Sequence, residues 1–187
     1  MSEKIKKITL SGLFIALGLV LPLFTGQIKA LGNAFLPMHL PVLICGLVVG
    51  PLYGFIIGLI IPIVRHFIFG MPPLYPTAIA MSLELGTYGF VIGYIYQKSK
   101  WKCIIALYKS LIISMITGRL VWGIVTMILL GINGQVFTYQ MFIAGAVLNA
   151  IPGIVFQLVF IPSLMLLLNK TGLVNIKTNS KKIQSVS

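Results

Sequence analysis

Apolar residues run along this chain in long blocks, interrupted by proline–glycine clusters and by short groups of lysine. The first block covers about 8–25. The second, about 38–50, opens on His39 and Pro41 and ends at Gly50-Pro51, which turns the chain into a third block at 52–69. The segment from Gly70 to Pro76 contains Pro72, Pro73 and Pro76 and cannot continue a helix, because each proline removes a backbone donor and collides with the preceding turn. Blocks at 77–96, 104–130 and 139–168 complete the series, the last with a bend expected at Pro152. A bilayer crossing needs about 20 apolar residues in a helix, whereas a β-barrel would show shorter alternating segments. The pattern therefore predicts an all-α membrane protein of six transmembrane helices, one domain over 1–187, with 169–187 a basic tail.

Composition agrees with that reading. The chain is 58% hydrophobic with 9% charged residues, and its mean hydropathy is +1.06; soluble domains carry about a quarter charged residues. The net charge of +12 changes the picture only through its placement. Lys4, Lys6 and Lys7 precede the first block, Lys98, Lys100, Lys102 and Lys109 surround one short loop, and Lys170, Lys177, Lys181 and Lys182 follow the last. Basic flanks of this kind mark cytoplasmic segments, and six spans put both termini on that side. Loops 26–37, 70–76 and 131–138 then face outward. The lysines flank the apolar blocks and form no extended basic patch interleaved with aromatics, so the partner they imply is the anionic surface of a lipid bilayer rather than nucleic acid. The basic start followed by an apolar run mimics a signal peptide and is read as a retained first span. Cys45 and Cys103 give neither a disulfide framework nor metal-ligand spacing.

Charge inside the blocks is the main functional clue. Arg65 and Arg119 lie within apolar stretches of a chain whose only carboxylate side chains are Glu3 and Glu84. Charge at mid-bilayer costs about 2.5–3.5 kcal/mol per group on insertion scales, so it marks a partner or a site. Glu84 can neutralise one arginine: either it pairs with Arg119 to hold two helices together, leaving Arg65 over, or it joins the arginines around a binding cavity. A free guanidinium is a planar fork matched to a carboxylate; alternatively Arg65 snorkels to outer headgroups. His39, Tyr75 and Asn149 are placed where they could join Arg65, Glu84 and Arg119 around an outward-opening cavity, with Gln157 adding a neutral group. His66 falls on a different helical face from Arg65. Catalysis finds no support: there is no aspartate, no carboxylate pair, and no HExxH, GxSxG or P-loop pattern. The chain is expected to use no cofactor and to bind no metal, and any ATP must be handled by other subunits.

Small residues recur four apart at Gly12/Ala16, Gly46/Gly50, Gly54/Gly58, Gly89/Gly93 and Gly145/Asn149/Gly153, a spacing that lets helix backbones approach. The stretch from Pro37 to Gly54, headed by His39-Leu40-Pro41-Val42, and the stretch from Arg65 through Leu85 carry a resemblance to a known family. With the six blocks and the Gly12-to-Ala16 motif, they resemble the substrate-binding S components of energy-coupling-factor vitamin transporters, in particular the pantothenate-like subgroup. The resemblance implies a multi-pass protein of the cell membrane that captures a vitamin outside the cell. It also implies a transmembrane coupling subunit and two cytoplasmic ATPases as partners, with Gly12 and Ala16 as the contact to the coupling subunit. Loops 26–37 and 70–76 correspond to family loops that close over the ligand. An arginine-rich, acid-poor cavity suits a carboxylate, of which pantothenate is the leading candidate and niacin, biotin and lipoate are others; riboflavin and pyrimidine precursors lack the acid. The competing reading is a solitary small-molecule permease.

Overall fold

The computed structural model describes residues 2–25, 37–99, 103–146 and 150–170. In chain order the helices are α1 (Glu3–Thr25), α2 (His39–Val48), α3 (Pro51–Phe69), α4 (Ile79–Lys98, entered through a wide π-like turn at Leu74–Ala78), α5 (Ile104–Ile132), α6 (Tyr139–Ala146) and α7 (Ile151–Lys170). No strand occurs among the described residues. Five helices are long and apolar enough to cross a membrane: α1, α3, α4 with its entry turn, α5 and α7.

Two expected spans differ in form. The block at 38–50 yields a helix of ten residues, about 15 Å long at 1.5 Å per residue, half of a hydrocarbon core of about 30 Å. The block at 139–168 yields two helices, α6 of eight residues and α7 of twenty. Pro152 therefore stands in the first turn of α7, where its missing N–H costs nothing, instead of bending a continuous helix. The loop expected at 26–37 lies outside the described residues except for Pro37, as do Lys100, Lys102, Asn149 and all but the first two residues of the expected tail.

Local sequence accounts for the ends. Gly50 takes φ 130°, a value closed to side chains, and Pro51 follows at the first position of α3. Gly70 closes α3 in the left-handed conformation at φ 69°, its N–H bonded to the His66 carbonyl. Beyond it the prolines hold the chain out of helix until Leu74, and Tyr75 remains extended inside the turn.

α4 is the centre of the bundle, packed by α2, α3 and α5. Glycines make this possible. A Cβ at Gly89 would stand 2.3 Å from the Gly54 carbonyl oxygen, and one at Gly58 would stand 2.4 Å from the Gly86 nitrogen. Gly46 of α2 likewise lies against the Gly89 carbonyl, at 2.3 Å from a would-be Cβ. Lipid is as apolar as leucine, so close backbone packing of this kind, rather than hydrophobic burial, holds membrane helices together. Around it Val42, Leu43, Ile57, Ile61, Leu85, Ile92, Leu107 and Leu111 are buried. α1 lies across α2 and α3, with Gly18 seated on Ile61. Its other side carries exposed Gly12, Leu13, Ala16, Leu17 and Val20, and a Cβ at Gly12 would meet nothing within 4 Å among the described residues.

The depth of α2 follows from its two ends. Gly50 lies beside Gln97, near the Lys98 end of α4, and His39 lies beside Glu84. Between Glu84 and Gln97 α4 rises about 20 Å. The short helix thus starts inside the bundle and runs to the Lys98 end, buried along almost its whole length.

Candidate functional site

Glu84 points into the interface that α4 shares with α2 and α5, and only 1% of the residue is exposed. Three side chains surround its Oε1. Arg119 of α5 donates from Nη1 at 3.0 Å, and Tyr88, one turn along α4, donates from its hydroxyl at 3.2 Å. His39 of α2 brings Nε2 to 3.7 Å, beyond hydrogen-bond reach, with its ring edge-on to Tyr88 at 5.2 Å. Each partner is there for a local reason. Glu84 and Tyr88 are four residues apart and share a helix face. Arg119 follows Gly118, where the Tyr88 ring packs so closely that a Cβ would stand 2.8 Å from it. His39 is the first residue of α2, so the positive end of that helix arrives with it. Pro41, lacking an N–H, leaves one fewer orphan donor in that first turn.

The cluster is not internally saturated. Nε and Nη2 of Arg119, both ring nitrogens of His39 and Nε2 of the buried Gln157 find no hydrogen-bond partner among the described residues. In a guanidinium, Nε and Nη2 form the side-on edge that engages both oxygens of a carboxylate. Glu84 occupies Nη1 and leaves that edge unpaired. Two opposite charges meet here, and donor capacity remains for an acceptor that the described residues do not provide.

A cleft of about 380 Å³ opens beside Arg119, between α5, α6 and α7, with Met115, Ile116, Phe142, Ile154 and Leu158 among its walls. It reaches Arg119 and not Glu84 or His39, which stand behind the guanidinium. A second cleft of about 320 Å³ continues along α5 past Gly123 and Met127 to Phe137 and Tyr139, sharing Leu120 and Phe142 with the first. Trp122 supports this side, its ring against Phe142 and Phe137 and against Gly145.

The structure gathers His39, Glu84 and Arg119 and sends Arg65 and Tyr75 elsewhere. Arg65 donates from Nη1 to the Leu19 carbonyl of α1 at 3.0 Å and stacks on Phe69 at 5.3 Å. Its acceptor lies in the α1 turn that Pro22 opens. His66 sets Nδ1 2.9 Å from the Pro72 carbonyl, a bond that places the proton on Nδ1. Tyr75 donates to the Leu129 carbonyl, tying the 70–78 turn to the far end of α5. Asn149 lies outside the described residues. The Tyr88 bond to Glu84 was legible in their four-residue spacing. The apolar walls of the cleft carried no such signal, since lipid-facing and ligand-facing aliphatics look alike in sequence. Among the described residues no three His, Cys, Asp or Glu side chains come together to hold a metal ion.

A family model, described as the ECF transporter substrate-specific component, matches residues 6–168. No curated protein and no solved structure matches the chain.

Proposed function

The chain belongs to the family of ECF transporter substrate-specific components, and from that premise we propose that it is the subunit that captures a carboxylate-bearing vitamin for an ATP-driven importer. The unpaired side-on edge of Arg119, beside a nutrient-sized cleft, carries this reading. A carboxylate docked there would take the two donors that Glu84 leaves unused. The positive end of α2 and the open nitrogens of His39 offset the second negative charge. The Lys98 end of α4 and the lysines at both termini face the cytoplasm in this proposal. The 70–78 turn, latched by Tyr75, then covers the outer side.

ATP is consumed by two cytoplasmic ATPases, which act through a transmembrane coupling subunit. Gly12 and Ala16 offer the coupling subunit an exposed, small-residue face of α1. Pantothenate, the candidate taken from sequence, meets the charge requirement; the body of the ligand is a separate matter taken up below. The test is to purify the chain from cells and identify the small molecule it retains by mass spectrometry. An occupant without a carboxylate overturns the proposal. Arg119→Lys provides a second check, since it keeps the charge and loses the fork. It is expected to weaken ligand binding at least about tenfold while the thermal midpoint stays near that of the parent.

A further inference from the structure

We infer that the acid this site takes has an apolar body, and that this body lies in the cleft between α5, α6 and α7. The inference rests on the carboxylate reading above and narrows it to a class: monocarboxylic acids with an aliphatic or thioether-like body and few hydrogen-bonding groups. Among the described residues, Arg119 supplies the only charged group on the cleft wall, and the others there are Ile, Met, Leu or Phe. The continuation along α5 adds Gly123, Ile124, Met127 and Phe137, with Thr138 and Tyr139 only at its far end. Nε and Nη2 of Arg119 are closed to solvent in this structure, so a carboxylate reaches them by a rotation of the guanidinium, and its body then lies against these walls.

Size agrees with this occupant. About 380 Å³ is at the lower end of the roughly 300–1,000 Å³ typical of small-molecule pockets, so one short chain or ring fills it. A body rich in hydroxyls or amides would leave those groups without partners, and buried polar groups without partners are what binding sites reject most strongly. Pantothenate, with two hydroxyls and an amide, carries the right charge on the wrong body. The unpaired fork also separates this cleft from an ordinary lipid-filled seam, because a phospholipid tail brings no acceptor to Arg119.

The experiment uses the full chain purified in detergent and reconstituted in nanodiscs, with binding measured by calorimetry for three probes. Lipoate has the acid and an apolar body, lipoamide has the same body without charge, and pantothenate has the acid on a polar body. Lipoate is expected to bind at least about tenfold more tightly than either of the others. Pantothenate binding more tightly than lipoate overturns the inference and leaves the carboxylate reading standing. Lipoamide binding as tightly as lipoate overturns the carboxylate reading itself. Ile116→Trp, at an exposed position on the cleft wall, locates the body. It is expected to cut lipoate affinity at least about tenfold with the melting temperature unchanged. Unchanged affinity in that variant, or a cleft that retains phospholipid which lipoate cannot displace, overturns the placement.

Discussion

Arg119→Gln separates a buried pair from a snorkelling charge. Glu84 is 1% exposed, and its charge is met by Arg119 at 3.0 Å, with Tyr88 adding one neutral hydrogen bond at 3.2 Å. Removing the guanidinium leaves a carboxylate buried with a single weak donor. Losing one partner of a buried pair costs about 3–5 kcal/mol, whereas neutralising both partners is close to neutral. In a chain of this size each kcal/mol moves the melting temperature by about 2–4 °C, so Arg119→Gln should lower it by about 6–20 °C. The double variant Glu84→Gln/Arg119→Gln should recover most of that loss, because two amides can bond across the same gap. Arg65→Gln provides the contrast: it forfeits one charge-assisted bond to the Leu19 carbonyl and strands no carboxylate, a cost of about 1–3 kcal/mol. Fluorescence-detected thermal denaturation in one detergent measures all four proteins. If the single and double variants at 84 and 119 melt together, or if Arg65→Gln is the more damaging change, the pairing argument is wrong. Ligand binding supplies an independent readout, since the rescued double variant should be stable and still fail to bind an acid.

Three further outcomes follow from the packing. Gly89→Ala should prevent assembly of α2, α3 and α4, because the new methyl would meet the Gly54 backbone; yield of monodisperse protein on gel filtration measures this, and a well-folded variant would contradict it. Gly12→Trp should leave ligand binding intact and abolish uptake in vesicles carrying the whole transporter, since it enlarges the exposed face of α1, where an added Cβ meets none of the described residues within 4 Å; parallel loss of both activities would show that α1 packs differently. Tyr75→Phe removes the tie between the 70–78 turn and Leu129 and should speed ligand dissociation about three- to tenfold with little change in stability, read by stopped-flow exchange; an unchanged off-rate would mean that the turn does not gate the site.

The sequence by itself determined the helical membrane class, the approximate position of every apolar block, and the breaks at Gly50-Pro51 and 70–76. These are local properties: runs of apolar residues, proline's missing donor and glycine's access to positive φ act within a few residues of where they are written. It also exposed the imbalance of charge, because counting two carboxylates against Arg65 and Arg119 requires no coordinates. The sequence offered a Glu84–Arg119 pair as one reading and a shared cavity as the other, and tertiary structure brought that pair together. Arg65 is nearer in sequence, yet α3 turns it toward α1, while α5 brings Arg119 across from 35 positions away. A helical period fixes the face a residue occupies and is silent on which helix will face it. That choice was made by the glycine contacts of α2, α3 and α4, where reciprocal backbone approach sets how each helix is rotated. The same contacts sank the short α2 into the bundle until His39 stood beside Glu84, and tertiary packing of α5, α6 and α7 set an apolar wall next to Arg119.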